Sequence, residues 1–261
     1  MTSLTPADLA KKAAADRAVG FVQDGMRLGL GTGSTAAFMV KRLGQRVREE
    51  GLRVVGVPTS SRTADLARAE GIRVVTLDQA GWLDITIDGA DEFDPDLTLI
   101  KGGGGAHLQE KVVAAASDRM IVITDPGKRV ARLGAFPLPI EALQFGLAST
   151  IRHIGAVLTD LGYGDTKITR RMAGERPFVS DEGNAILDLH LGTITSAQAL
   201  SIRLNQIPGV VENGLFINMS DLVVIGHADG RAELIEAEPG LAERLRAARP
   251  RLDNPFADIV G

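Results

Sequence analysis

Acidic residues, a lysine and four consecutive glycines are concentrated in one window of this sequence. The stretch Asp88-Gly89-Ala90-Asp91-Glu92 is followed shortly by Lys101-Gly102-Gly103-Gly104-Gly105. Consecutive glycines weaken regular structure and neighbouring carboxylates repel each other, so a purely structural segment gains little from this combination. Glycine also allows a ligand to approach the backbone closely and leaves N–H donors for negatively charged oxygens. The window therefore predicts a site that binds or transforms a small anion.

Carboxylates in and after this window are candidates for acid–base chemistry. Glu110 lies early in the helix predicted after the glycines. A nearby lysine ammonium keeps a carboxylate ionised at neutral pH while partial burial raises its basicity, and together these effects make a usable general base. The alternative is a glutamate that only stabilises a helix N-terminus. Asp88 and Asp91 follow a predicted parallel strand, where open α/β sheets bind their ligands, although helix capping or a solvated turn would also explain them.

A second glycine-rich stretch, Gly29-Leu30-Gly31-Thr32-Gly33-Ser34-Thr35, lies between a predicted strand and a helix. Backbone N–H groups and hydroxyls converge at such a helix N-terminus, which favours a phosphate. The stretch is neither a Walker loop nor a dinucleotide fingerprint, and the alternative is a tight turn without a ligand. Lys128 follows a later strand, where it would either reach the same edge of the sheet or extend into solvent.

Composition excludes several classes of protein and of site. The chain has no cysteine, which excludes disulfides, thiolate nucleophiles and cysteine-based zinc sites. Its four histidines show no paired ligand spacing, and two aspartates alone are a weak metal signature, so we expect no metal. A formal charge of −4 and an aromatic content of 4% argue against nucleic-acid binding. No apolar stretch approaches the roughly 18 residues of a membrane span, and the N-terminal residues lack the features of a secretory signal, so we expect a cytoplasmic protein.

Alternating apolar runs and helical patterns predict the elements that position these residues. The first helix is expected to begin after a capping Thr5 and to end near residue 23. The predicted strands are 26–31, 54–57, 73–77, 83–88, 97–100 and 120–125, and the next helices are 34–50, 62–70 and 108–117. Such alternation implies a parallel sheet with right-handed crossovers. We expect the strand at 97–100 to deliver Lys101 to the same edge of this sheet as Asp88.

The pattern changes after about residue 133. Strands at 137–140, 166–171, 185–191 and 210–216, with helices at 143–161 and 196–206, follow in the order β-α-β-β-α-β, which is the ferredoxin-like pattern. A strand at 221–226 then returns to the first sheet, and a helix at 241–248 follows. The sequence therefore predicts an α/β protein with a Rossmann-like parallel-sheet domain of residues 1–133 and 207–261. A smaller ferredoxin-like α+β domain of residues 134–206 is inserted in it.

Three stretches together resemble the signature of the type A ribose-5-phosphate isomerases. They are Gly31-Thr32-Gly33-Ser34-Thr35, Asp88-Gly89-Ala90-Asp91-Glu92 and the segment from Lys101 through Glu110 to Lys111. The resemblance extends to chain length, element order and the inserted lobe, so it covers essentially the whole chain. Each motif alone is of modest specificity, but the three in this order and spacing are highly specific. The resemblance implies the interconversion of ribose 5-phosphate and ribulose 5-phosphate in the pentose phosphate pathway, without metal or organic cofactor.

The resemblance also implies a role for each matching residue. Glu110 would be the base that moves a proton between neighbouring carbons, and Asp88, Asp91 and Lys101 would be further catalytic residues. The residues implied to bind the substrate are Lys11, Thr32, Gly33, Ser34, Thr35, Asp88, Gly89, Ala90, Asp91, Lys101, Gly102, Gly103, Gly104 and Lys128. His107 departs from the family pattern, in which leucine is common, and this departure concerns local packing rather than the reaction.

Other classes of protein have to be separated from an isomerase. Sugar-phosphate sensor domains of transcription regulators are similar in fold, but they need an output such as a helix-turn-helix, for which we find no spare segment. Deaminases, lactonases and CoA transferases on similar scaffolds would be recognised by ammonia release, lactone hydrolysis or acyl-CoA exchange. The expected partner is a small sugar phosphate, with neither nucleic acid nor membrane involved. Apolar segments in the small lobe and the C-terminal region favour a homodimer or homotetramer.

Overall fold

The structure is a computed structural model that describes residues 4–238. The described chain forms two compact units. The first unit contains the described residues up to Ala90, the segment Gln109–Lys128 and the described residues from Asn218 onward. The second unit contains Asp91–Leu108 and Arg129–Ile217. The helix predicted at 241–248 lies outside the described residues.

Helices and strands follow one another along the whole described chain. The helices are α1 (Pro6–Val19), α2 (Ser34–Glu50), α3 (Ser61–Ala69), α4 (Leu77–Ala80), α5 (His107–Ala115), α6 (Leu147–Asp160) and α7 (Ala197–Asn205). The strands are β1 (Arg27–Leu30), β2 (Val55–Pro58), β3 (Arg73–Val74), β4 (Ile85–Gly89), β5 (Glu92–Phe93), β6 (Leu99–Ile100), β7 (Met120–Thr124), β8 (Leu138–Ala142), β9 (Lys167–Arg170), β10 (Met172–Ala173), β11 (Arg176–Pro177), β12 (Ala185–His190), β13 (Val210–Asn213), β14 (Leu215–Phe216), β15 (Leu222–Gly226) and β16 (Ala232–Glu236). None of the helices between residues 4 and 238 has the length and apolar run that crossing a bilayer requires.

The first unit is built on a seven-stranded sheet in the order β16-β15-β7-β4-β1-β2-β3. All neighbouring strands are parallel except β15 and β16, which confirms the predicted mixed α/β class. Every residue of β7 and β15 is buried, as expected for strands covered on both faces of a parallel sheet. The chain runs outward from β1 to β3 and then places β4 on the other side of β1. The junction between β1 and β4 is therefore the switch point, where open α/β sheets bind ligands.

Local sequence explains the ends of the first two helices. The Thr5 side chain accepts a hydrogen bond of 3.1 Å from the Asp8 N–H, with Pro6 in the first helical position, as predicted. α1 ends at Val19 rather than near residue 23. α2 occupies the predicted residues 34–50 and stops at Gly51, whose φ of 69° is left-handed.

Two features at the edges of this sheet were not predicted. The strand expected at 73–77 is confined to Arg73–Val74, because Thr76 and Gln79 form a capping box that begins α4 instead. The edge strand β16, which pairs antiparallel with β15, was missed. Its five residues alternate little and include two glutamates, and three of the five are exposed, so it lacks the continuous apolar run that identified the central strands.

The second unit contains a four-stranded antiparallel sheet in the order β13-β8-β12-β9. Its apolar face packs with helices α6 and α7 in one core, whose buried members include Leu138, Ile140, Ile154, Leu158, Leu187, Leu189, Leu200 and Leu204. The short hairpin β10–β11, which the sequence did not predict, lies between β9 and β12. Such a core requires that alternate residues of each strand face the helices, which is the pattern that the sequence shows.

A separate three-stranded antiparallel sheet in the order β14-β6-β5 also belongs to the second unit. The prediction that the strand at 97–100 joins the main parallel sheet is therefore wrong. The strand predicted at 210–216 is also wrong as a single element, because it divides at Gly214 into β13 and β14. The Gly214 N–H donates to the Pro139 carbonyl at 2.8 Å, and a Cβ atom at Gly214 would lie 2.3 Å from the Lys101 carbonyl oxygen. Glycine is required because two backbones meet there.

Candidate active site

The turn between β1 and α2 in the first unit presents the N-terminus of a 17-residue helix. Gly33 is the residue before α2, has a φ of 120° and makes no side-chain capping hydrogen bond. The first backbone N–H groups of a helix have no partner within the helix, and the helix dipole favours an anion there. Ser34 is exposed, and Gly33 and Thr35 are half-buried. The predicted phosphate-binding residues Thr32, Gly33, Ser34 and Thr35 therefore form a turn that suits an anion.

Asp88 is joined to this turn directly. It lies near the end of β4 and is 0% exposed. Its Oδ1 atom accepts hydrogen bonds from the Thr32 N–H at 3.1 Å and the Gly89 N–H at 2.7 Å. A Cβ atom at Gly31 would lie 2.1 Å from the same Oδ1 atom, so the close approach requires glycine at that position. The structure thus brings the first two predicted motifs together at the switch point of the sheet.

A cluster of hydroxyl groups around Thr32 was not predicted. The Thr32 Oγ1 atom lies 2.8 Å from Thr59 Oγ1, 2.8 Å from Ser60 Oγ and 3.2 Å from Thr63 Oγ1. Thr59 and Thr63 also donate to the carbonyls of Leu30 and Gly31, each at 3.1 Å. The cluster therefore fixes both the side chain and the backbone of the turn. The signal for it in the sequence is the group of hydroxyl residues Thr59, Ser60 and Thr63, which follows the second strand.

A cleft of about 290 Å³ borders this turn within the first unit. It is lined mainly by α2 and α3 residues, namely Gly33, Ser34, Ala37, Val40, Arg62, Thr63 and Leu66. The guanidinium of Arg62 is the cationic group among them. The Arg62 guanidinium therefore contributes a positive charge to the lining of the cleft that borders the helix N-terminus.

Glu110, Lys128 and Lys11 also belong to the first unit. Glu110 lies in the first turn of α5 and is 4% exposed. Lys128 ends a 3-10 turn that follows β7, the strand next to β4, and it is half-buried. Lys11 lies on α1, with its Nζ atom 3.9 Å from Asp8 Oδ1. Three neighbouring strands, β1, β4 and β7, thus have Thr32, Asp88 and Lys128 at or just beyond their carboxyl ends.

The predicted residues of the second unit form a glycine loop, residues 101–105. Lys101 follows β6, is 2% exposed, and its Nζ atom lies 5.3 Å from the centroid of the Phe216 ring. Asp91 accepts a hydrogen bond of 2.7 Å from the Gly103 N–H through Oδ2. Gly102 and Gly105 have φ angles of 111° and 74°, and Gly103 and Gly104 are exposed. The structure therefore brings the Asp91 carboxylate onto the predicted glycine loop.

His107 packs against the same loop. The residue is 0% exposed, and a Cβ atom at Gly102 would lie 2.7 Å from its Nδ1 atom. The complete burial of His107 is consistent with a role in local packing. His153 and His190 are exposed and His227 is half-buried.

A mostly parallel α/β sheet with a glycine-rich turn and a helix N-terminus at its switch point is typical of proteins that bind small anions. Comparison with known proteins gives the family. A model of ribose 5-phosphate isomerase A (phosphoriboisomerase A) matches residues 55–230. This chain belongs to the ribose 5-phosphate isomerase A family.

Individual relatives agree along nearly the full length. The chain is 60% identical over 256 residues to a ribose-5-phosphate isomerase A from Cereibacter sphaeroides, covering 98% of both proteins. It is 59% identical over 257 residues to the protein of that name from Ruegeria pomeroyi, again covering 98% of both. The solved ribose 5-phosphate isomerase A of Methanocaldococcus jannaschii is 40% identical, with a TM-score of 0.80 over 89% of this chain and 100% of the other. A D-ribose-5-phosphate isomerase solved in complex with phospho-erythronic acid is 36% identical, with a TM-score of 0.81 and the same coverage.

Proposed function

We propose that this chain interconverts ribose 5-phosphate and ribulose 5-phosphate by moving a proton between C1 and C2. The observation that carries the proposal is the hydrogen bond from the Thr32 N–H to Asp88 Oδ1. This bond joins two of the family's motifs at the switch point of the sheet. The related structure with phospho-erythronic acid, a phosphorylated sugar acid, supports the same class of ligand. The non-oxidative pentose phosphate pathway is the context that the family implies.

Glu110 is the proposed base. In the open-chain aldose, the C1 carbonyl makes the C2 proton acidic, and its removal gives an enediolate. Returning the proton to C1 gives the ketose, so one carboxylate can perform both transfers. The position of Glu110 in the first turn of α5 supports this role, because its 4% exposure shields a transferred proton from water. The reaction that we propose uses side chains and backbone groups, without metal or organic cofactor.

The phosphate is proposed to bind at the α2 N-terminus through Thr32, Gly33, Ser34 and Thr35. Its binding energy would orient the reacting carbons, although the phosphate takes no part in bond making. The uncapped N–H groups and the hydroxyl cluster support this assignment. Lys11 and Lys128 are proposed as further substrate contacts.

Asp88, Asp91 and Lys101 are proposed to act on the sugar. The aspartates would hold hydroxyl groups, assist ring opening and help to move the proton between O1 and O2. Lys101 and the Gly104 N–H would stabilise the negative charge that develops on oxygen, and Gly102 and Gly103 would line the substrate site. Gly89 and Ala90 would contribute backbone contacts next to Asp88.

The finer architecture is also part of the proposal. We infer that the inserted domain, predicted as residues 134–206, is ferredoxin-like and that the domain of residues 1–133 and 207–261 is Rossmann-like. The order β13-β8-β12-β9 supports the first inference, because in this pattern the last strand lies beside the first. It also favours including β13 in the smaller domain. A homodimer or homotetramer remains our prediction, supported by Phe145, which is 93% exposed, and Leu143, which is 45% exposed.

The test of the base is Glu110→Gln, which preserves size and removes basicity. We expect kcat for ribose 5-phosphate to fall by about 100-fold or more, the usual contribution of a general base, with the substrate still bound. Ketose formation is followed with purified, chelator-treated protein, and bound substrate is measured by calorimetry. Glu49→Gln on the exposed face of α2 is the matched control and should retain full turnover. Near-normal turnover of Glu110→Gln would remove Glu110 from this role.

A further inference from the structure

Arg171, which follows β9 in the second unit, has its guanidinium group engaged on two sides. Its Nε atom donates to Asp188 Oδ2 at 3.0 Å, and Nη2 donates to Asp188 Oδ1. Its Nη1 atom donates to the carbonyl of Gly102 at 2.6 Å and to that of Gly103 at 3.1 Å. Both side chains of the ion pair are only 15% exposed. The pair therefore joins the central strand β12 of the four-stranded sheet to the glycine loop.

This contact determines where two backbone N–H groups point. In a planar trans peptide, the C=O and N–H bonds point in opposite directions. Because Arg171 holds the Gly102 carbonyl, the Gly103 N–H is directed away from it, and this group donates to Asp91. Because Arg171 holds the Gly103 carbonyl as well, the Gly104 N–H is directed away in the same manner. The Gly104 N–H donates to no group within residues 4–238, and Gly104 is exposed.

The loop needs such an external restraint. Four consecutive glycines have a larger choice of backbone conformations than any other tetrapeptide, so their order has a high cost in conformational entropy. An N–H group stabilises a developing negative charge only when it is held in place beforehand. A guanidinium bonded to the carbonyl also polarises the peptide and strengthens its N–H as a donor.

We propose that Arg171, oriented by Asp188, is a positioning residue for the isomerisation. It fixes the peptide between Gly103 and Gly104 so that the Gly104 N–H donates to the substrate oxygen that becomes negative in the enediolate. Arg171 acts through the loop and does not touch the substrate. The inference rests on the proposed function, because the enediolate is the intermediate of that reaction.

Arginine is required in this position for geometric reasons. Its planar fork offers one edge to the carboxylate and a further N–H pair to the carbonyls at the same time. A lysine ammonium has the same charge but is a single point, so it cannot hold the carboxylate in two bonds and two carbonyls together. Arg171→Lys therefore preserves charge and removes the restraint.

The decisive experiment compares Arg171→Lys with Arg170→Lys. Arg170 is the adjacent residue on β9, and its guanidinium donates a hydrogen bond of 3.3 Å to the Gln144 side chain. For Arg171→Lys we expect kcat to fall about 10- to 100-fold with KM changed by less than about threefold, because an oxyanion donor acts mainly in the transition state. Arg170→Lys should keep kcat within about twofold of wild type. Thermal unfolding of both variants controls for folding.

Asp188→Asn provides a second route if Arg171→Lys does not fold. The amide cannot accept the two charge-assisted bonds, so kcat should again fall with little change in KM. The double variant that combines Asp188→Asn with Arg171→Lys should lose no more kcat than Arg171→Lys alone. Folded variants with wild-type kcat, or equal losses in Arg171→Lys and Arg170→Lys, overturn the inference while the proposed function stands. A wild-type protein that does not isomerise ribose 5-phosphate overturns the proposed function and this inference with it.

Discussion

Replacing Gly31 with alanine tests whether the close contact of the β1–α2 turn with Asp88 is essential for turnover. The added Cβ atom would lie 2.1 Å from Asp88 Oδ1 and 2.5 Å from Asp88 Cα, whereas ordinary contacts begin at 3.4 Å. The carboxylate or the turn must therefore move by about 1 Å, which is enough to break the hydrogen bond of 3.1 Å from Thr32. Because the backbone of Gly31 is not in the left-handed region, alanine is penalised by this contact alone.

The expected effect follows from that displacement. Overpacking of this kind costs about 1–3 kcal/mol of stability, and misplacing a substrate-positioning group by about 1 Å can lower kcat/KM by about 100-fold. Ketose formation from ribose 5-phosphate measures the second effect, and urea unfolding followed by the fluorescence of Trp82, the only tryptophan, measures the first within the unit that contains Gly31.

Two other glycine-to-alanine variants distinguish a loss of turnover that is specific to the Asp88 contact from a general loss of stability. Gly44→Ala also meets a close neighbour, Glu70 Cβ at 2.5 Å, so it should lose stability but keep kcat. Gly155→Ala on α6 meets nothing within 4 Å and should gain up to about 1 kcal/mol of stability from helix propensity. A folded Gly31→Ala protein with kcat/KM within about twofold of wild type would refute the reasoning.

Two further predictions concern buried polar groups in the two units. Burial raises the pKa of the Glu141 carboxyl above its ordinary value of 4.5, against the hydrogen bonds from Ser180 and Asn184, which lower it. The folded state therefore keeps this proton to a higher pH than the unfolded state, and its contribution to stability is lost as pH rises through the folded pKa. On going from pH 4 to pH 7.5, the free energy of unfolding of Glu141→Gln should rise by about 1 kcal/mol relative to that of wild type, as measured by urea unfolding followed by circular dichroism. The same difference between the two proteins at both pH values would contradict this prediction. Thr59→Val removes the bonded hydroxyl beside Thr32 and should lower kcat/KM about fivefold for ribose 5-phosphate but not for ribose, whereas equal losses for both sugars would show that the cluster does not support a phosphate site.

Much of the first unit was predictable because its signals are local. Ser34 through Glu50 has the helical pattern of α2 between two glycines, and the observed bounds agree with the prediction. Asp88 could be placed near the carboxyl end of a parallel strand because Ile85 and Ile87 precede it in a short segment of β-branched residues. Parallel strands read as apolar runs since both of their faces are covered.

Other parts depend on which distant segments meet. Leu99–Ile100 is too short an apolar run to indicate its sheet, and its partners β5 and β14 are identified only by long-range pairing. Gly214 ends one strand and begins another because two backbones approach there, which a sequence of apolar residues does not reveal. The sequence predicts only that Arg171 ends a strand, because its role depends on Asp188 and on carbonyls some 70 positions earlier in the chain.

The sequence by itself predicted the family and the candidate site residues, namely the glycine-hydroxyl turn, the carboxylates and the lysine, and the alternation that gives a parallel sheet. These features are encoded in residue type and short spacing, which act locally on the chain. Tertiary structure alone decided that the Thr32 N–H bonds Asp88, that three hydroxyls surround the Thr32 side chain, and that an arginine from another strand restrains the glycine loop. Those contacts join residues far apart in sequence, and only the packing of the complete chain determines which of them meet.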